Sequence, residues 1–258
     1  MVDEHRKQGL LLVGHGTRNE AGRREFLEVA SLVAARRDHW AVEPSFLELA
    51  TPRIEQGVAQ LVDQQIEQLT VMPLLLFAAG HAKQDIPSAV ATALASQFAL
   101  SSEQAPHLGC HRAILELSRL RFQQALATLP ADGPSVPADQ TLLLLVGRGS
   151  RDASATAEMH EFARLRAAQT PVGRVECCFF AMARPSLEEM LPRIATMPYW
   201  RVVVQPHLLF QGELLTALSE RVRRFAALHP QQQWIVTEHL GPHRLLAEAI
   251  VELAETPC

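Results

Sequence analysis

Three residues in the first part of this sequence have the types and settings of a site for a metal ion or for proton transfer. His15 stands in LLVGHGTR (11–18), Glu48 in SFLELATPRI (45–54) and His81 in LFAAGHAKQDIP (76–87). Two imidazoles and a carboxylate are a recurring donor set for a divalent first-row metal, and histidine is the side chain suited to accept a proton near neutral pH. Singly, each has an ordinary structural alternative. A histidine in a glycine-flanked loop can cap a helix or satisfy a backbone group, and a glutamate can simply end a strand in solvent.

A second copy of the pattern separates these alternatives. LLVGRGSR (144–151) repeats the first segment with Arg148 in place of His15 and Ser150 in place of Thr17. A shift of 133 carries Gly14, Gly16, Phe46, Pro52, Pro73 and Phe77 onto Gly147, Gly149, Phe179, Pro185, Pro206 and Phe210. HLGCHR (107–112) returns as HLGPHR (239–244) at a shift of 132. The chain is therefore an internal duplication. The glycines, prolines and phenylalanines occur in both copies, whereas His15, Glu48 and His81 become Arg148, Ala181 and Leu214. A residue held only for packing has no reason to follow that split, so the chemistry is expected in the first copy alone.

Other residues divide less sharply. His111 and His243 occur in both copies and read as structural groups at the start of each last helix. His207 replaces Leu74 of the first copy and reads as a residue able to face a cleft. Arg18 and Arg151, with Arg148, could pair with carboxylates of an anionic ligand or stand solvated at helix starts.

The elements that position these residues alternate in type. Leu10–Val13, Val42–Leu47 and Leu69–Phe77 read as strands, and His107–Gly109 as the end of a fourth. Helices are expected over Glu20–Arg37, from Pro52 in a first turn to about Ile66, over Ile86–Phe98, and from about Ala113 to Thr128. The second half repeats the order, with strands near 141–146, 174–180, 200–209 and 233–237. Strands alternating with helices imply parallel sheets with right-handed crossovers. Pro130–Gln140 reads as a linker, giving an N-terminal domain over 8–129, a linker over 130–140 and a C-terminal domain over 141–258. The fold class is α/β, as two tandem, duplicated parallel-sheet domains with an interdomain cleft at the carboxyl ends of their strands.

Composition narrows the function. The 258 residues are 48% hydrophobic and 20% charged, with a net charge of −4, which fits a soluble globular protein and not a dedicated nucleic-acid binder. No apolar run reaches the roughly 18–20 residues of a membrane span, and the charged start MVDEHRKQG is unlike a signal peptide, so a cytoplasmic location is expected. Four cysteines form no C-x-x-C pair. The adjacent Cys177 and Cys178 read as small buried hydrophobes.

The segments LLVGHGTR, SFLELATPRIEQGV (45–58) and VMPLLLFAAGHAKQDIP (71–87), with LLVGRGSRD (144–152) and VVVQPHLLFQGELL (202–215), resemble the class II tetrapyrrole chelatases. The resemblance is to the sirohydrochlorin chelatases of the long, two-domain type and covers about 8 to 250. Ala79 stands where a second glycine is common in that family. The resemblance implies a two-domain chelatase fold that holds sirohydrochlorin in its cleft and inserts a divalent metal without ATP. It implies His15 and His81 as the functional pair, acting on metal and protons, with Glu48 as third participant. Arg18, Arg148 and His207 are then candidates for tetrapyrrole binding. No cofactor is expected beyond the substrate metal, Co²⁺ for cobalamin synthesis or alternatively Fe²⁺ for sirohaem. The duplicated form favours cobalt, while the absence of a histidine-rich tract and of a C-terminal C-x-x-C removes two features of some long cobaltochelatases. Sirohydrochlorin and the metal ion are the expected partners, without nucleic acid or membrane. A monomer suffices to build the cleft, and a dimer is compatible with it. A non-catalytic metal or tetrapyrrole carrier would use the same ligands. A histidine phosphatase would need arginine directly before the histidine, where Gly14 stands.

Overall fold

A computed structural model describes residues 7–77, 84–95, 100–130, 133 and 135–256. Its first sheet holds β1 (Gln8–Gly14), β2 (Ala41–Phe46), β3 (Gln68–Pro73) and β4 (Ser101–Gln104), all parallel, in the order β2-β1-β3-β4. The second holds β5 (Thr141–Gly147), β6 (Arg174–Phe179), β7 (Arg201–His207) and β8 (Gln233–Val236) in the matching order β6-β5-β7-β8, again parallel. Leu10–Val13 and Leu142–Val146 are buried throughout, as central strands covered on both faces require.

The helices are α1 (Glu20–Ala34), α2 (Ile54–Asp63), α3 (Ile86–Leu94) and α4 (Arg112–Ala127), then α5 (Ala153–Gln169), α6 (Leu187–Ala195), α7 (Glu213–Ala227) and α8 (Arg244–Glu255). On α1 the apolar spacing buries Phe26, Val29, Ala30 and Val33. Asn19 and Asp152 cap α1 and α5 by accepting backbone N–H groups of Gly22 and Ser154, each at 2.9 Å. α6 opens with a capping box in which Ser186 and Glu189 each accept the other's backbone N–H.

Two expectations need correction. Pro52 does not sit in the first turn of α2. It precedes the helix after a cis Thr51–Pro52 bond, and its carbonyl accepts the Phe46 N–H at 2.8 Å. His107–Gly109 lies beyond β4, in a loop whose Leu108 and Gly109 N–H groups donate to Leu75 and Leu76 carbonyls. The compact units are Met1–Ala113 with Pro242–Cys258 (unit 1) and Ile114–Gly241 (unit 2). The last helix of each repeat is thus exchanged: α8 packs on α1 and β3 of unit 1, and most of α4 belongs to unit 2.

Side chains match this exchange. In unit 2 the buried Arg166 donates from Nε to Ser118 Oγ of α4 at 2.9 Å and from Nη1 to Thr170 Oγ1, and Gln205 Nε2 donates to the Ser118 carbonyl at 2.7 Å. Burial, with the neighbouring Arg119 charge, pushes the Arg166 guanidinium down to about 10. The repeat-equivalent residues in unit 1 are Val33, Ile250 and Met72, all apolar and buried.

In each sheet the chain leaves the first strand to one side for the second and crosses to the other side for the third. Loops diverge at that switch point, where open α/β sheets bind ligands. His15 is the first residue past β1.

Candidate functional site

Backbone contacts alone fix the site. Past the end of β1 and β2 the pairing continues, as the Leu47 N–H donates to the Gly14 carbonyl at 2.9 Å and the Glu48 N–H to the His15 carbonyl at 3.0 Å. Gly16 has a φ of +103°, and a Cβ there would lie 1.7 Å from the Glu48 carbonyl oxygen. Only glycine lets the two loops lie this close. The Thr17 hydroxyl then accepts the Asn19 N–H at 3.0 Å and turns the chain into α1. The result sets His15 Nδ1 3.4 Å from Glu48 Oε1, with side chains 24% and 47% exposed. A carboxylate beside a ring nitrogen orients an imidazole and raises its basicity.

Unit 2 rebuilds the same backbone. Phe180 and Ala181 N–H groups donate to the Gly147 and Arg148 carbonyls at 2.8 and 3.0 Å. Ser150 Oγ accepts the Asp152 N–H at 3.0 Å. Gly149 has a φ of +90°, and its Cβ would lie 1.7 Å from the Ala181 carbonyl oxygen. Thr17 and Ser150 therefore share a structural task, and so do the glycines. With the frame held constant, what changes is the side chains, His15 to Arg148 and Glu48 to Ala181.

The remaining candidates fall in different places. His81 lies outside the described residues. Arg18, Arg148 and Arg151 are exposed at the loops after β1 and β5. His207 is 2% exposed, and its ring centroid lies 4.1 Å from that of Phe162 inside unit 2. Burial, then the Arg166 charge, pushes it down to about 3, so it is a neutral core residue and not a group turned to a cleft. His111 and His243 do the structural work expected of them: their Nδ1 atoms accept the Ala113 and Leu245 N–H groups at the starts of α4 and α8. Cys177 and Cys178 are buried, and burial pushes the Cys177 thiol up to about 12. Among the described residues no three His, Cys, Asp or Glu side chains gather as a metal-holding group. His15 and Glu48 are the two donors of the expected three that the described residues contain.

Two residues carried no sequence signal. Leu49 and Met182 are repeat equivalents with φ values of +64° and +61°, at 47% and 52% exposure. Leucine and methionine do not advertise positive φ as glycine or asparagine does.

The sequence profile of the CbiX family matches residues 9–125 and 142–256. The chain is 28% identical over 256 residues to a sirohydrochlorin cobaltochelatase of Priestia megaterium, covering 97% of this chain and 80% of that protein. It is 29% identical over 247 residues to a sirohydrochlorin ferrochelatase of the same organism, covering 96% and 89%. Among solved structures, SirB from Bacillus subtilis with Fe³⁺ superposes with a TM-score of 0.82 at 26% identity, over 96% of this chain and 94% of that one. No helix of the described residues is long and apolar enough to cross a membrane. Both copies match one profile over nearly the whole sequence, and the chain belongs to the CbiX family, that of the sirohydrochlorin chelatases.

Proposed function

We propose that this protein inserts a divalent metal, Co²⁺, into sirohydrochlorin without ATP. The observation that carries the reading is the His15–Glu48 pair at the switch point of unit 1, set on a backbone that unit 2 reproduces without either residue. Relatives named for cobalt and for iron match almost equally well, and a nitrogen and carboxylate donor set accepts both metals. Both relatives span both halves, so the duplicated form does not choose the metal; Co²⁺ is proposed from the cobalt-named relative, matched over 97% of this chain.

The chemistry suits these residues. Insertion exchanges two pyrrolic protons for one M²⁺. His15 and His81 hold the incoming ion or take up a released proton, one task at a time. Glu48 orients His15 and balances the ion's charge. Sirohydrochlorin is rich in carboxylates, for which the exposed Arg18 and Arg148 are suitable partners.

The test is absorbance-monitored insertion into sirohydrochlorin under anaerobic conditions, with Co²⁺ and Fe²⁺ in separate runs. The parent is expected to exceed the spontaneous rate, faster with Co²⁺. His15→Ala and His81→Ala should lose that excess, and Arg148→Ala should raise KM more than it lowers kcat. A parent that binds sirohydrochlorin yet never beats the spontaneous rate with either metal would make the protein a carrier.

A further inference from the structure

We propose that Leu49 is a substrate-contact residue, an apolar rest for the macrocycle beside the His15–Glu48 pair; this rests on the chelatase reading above. The observation is conformational. The Ala50 N–H donates to the Glu48 carbonyl at 2.8 Å across Leu49, whose φ is +64°. That is a γ-turn of the positive-φ kind, which is rare and strained. Glycine would adopt it without penalty, and a side chain with a Cβ does so only against a steric cost.

Burial does not offset that cost. The leucine is 47% exposed in the full chain, and the apolar core of unit 1 takes Leu47 against it but not Leu49. A residue that is both strained and exposed, where glycine would serve, is kept for something its own unit does not supply. The duplication sharpens the point. Met182 repeats the arrangement, with a φ of +61°, 52% exposure and a 2.7 Å bond from the Ala183 N–H to the Ala181 carbonyl. The preceding residue switches from Glu48 to Ala181, yet the large unbranched-at-Cβ apolar residue on a left-handed turn stays. Its task is therefore separate from the metal chemistry and common to both halves.

A tetrapyrrole supplies the chemistry such a residue would meet. Its faces are flat and apolar, its charges lie at the rim, and its centre must be presented to the metal-handling pair. Leu49 follows Glu48 directly and offers dispersion contact without a donor atom that would compete for the ion.

The test is binding of metal-free sirohydrochlorin, read by its absorbance or fluorescence, by the parent, Leu49→Gly and Leu49→Met. Insertion kinetics and thermal unfolding are measured on the same proteins. Leu49→Gly suits the backbone, so its Tm should equal or exceed the parent's, while Kd and KM rise roughly tenfold and kcat changes far less. Leu49→Met, the residue of the second copy, should keep Kd within about twofold. Parental Kd and KM in Leu49→Gly would overturn the inference. So would a lowered Tm, which would make the side chain a packing residue, or a change in solution mass with binding intact, which would make it a contact between copies. A folded parent that does not bind sirohydrochlorin would sink the chelatase reading itself, an outcome distinct from an indifferent Leu49→Gly in a parent that binds.

Discussion

At the scale of the residue, the frame and the proposed chemistry fall on different positions. Gly16 and Gly149 are frame: each has a positive φ and a carbonyl 1.7 Å from where a Cβ would stand. Gly16→Ala and Gly149→Ala are each expected to lower stability by more than about 2 kcal/mol, seen as a reduced denaturation midpoint. Glu48 is chemistry. Its side chain is 47% exposed and stands 3.4 Å from His15, so Glu48→Gln should leave stability within about 0.5 kcal/mol while insertion slows by roughly 10- to 100-fold. That His15 and Glu48 form a pair worth testing was legible because a duplicated sequence carries its own control, in which Arg148 and Ala181 stand on the equivalent loops. Leu49 was not legible, because φ is not written in a leucine.

At the scale of the element, the helix exchange escaped a linear reading for a physical reason. The linker at 130–140 separates the repeats in sequence, but which sheet a terminal helix covers depends on side chains far apart in the chain. Arg166, Gln205 and Ser118 lie in α5, β7 and α4, and their equivalents in unit 1 are Val33, Met72 and Ile250. Seating α8 in unit 2 would set Ile250 against a buried guanidinium, whereas Ser118 of α4 accepts its proton at 2.9 Å. The same repeat comparison that singled out His15 contained this pattern, and His207 belongs to it as the counterpart of Leu74. Reading His207 alone gave it a cleft; its neighbours put it in the core. Ser118→Ala, which leaves Arg166 Nε without its acceptor, is expected to cost about 1–3 kcal/mol in urea unfolding. The fourfold replacement Arg166→Val, Gln205→Met, His207→Leu and Ser118→Ile should cost little or nothing, since exchanging a whole buried polar cluster for packed apolar groups is often neutral. His207 also predicts a pH dependence. Its folded value of about 3 lies below the ordinary 6.5, so between those values the unfolded chain holds a proton that the folded chain does not. Its contribution is full above 6.5 and is lost as pH falls, with a slope of at most about 1.4 kcal/mol per pH unit. Unfolding measured from pH 7 to 4 should therefore show a shallower decline in His207→Leu than in the parent.

At the scale of the whole molecule, the proposed function assigns work unequally to two units of one design. Both have a four-stranded parallel sheet in the same order and the same turn after the first strand; apolar runs and repeated glycines foreshadowed the parallel sheets and the repeat, but not the strand order. Unit 1 is proposed to perform the chemistry on a frame that unit 2 shares. The direct test gives unit 1 the residues that unit 2 already carries on that frame, His15→Arg with Glu48→Ala, and follows Co²⁺ insertion into sirohydrochlorin beside a thermal melt. Insertion should fall to the spontaneous rate in a protein that melts within a few degrees of the parent. Parental insertion by the folded double variant would contradict it and move the chemistry out of the loop after β1.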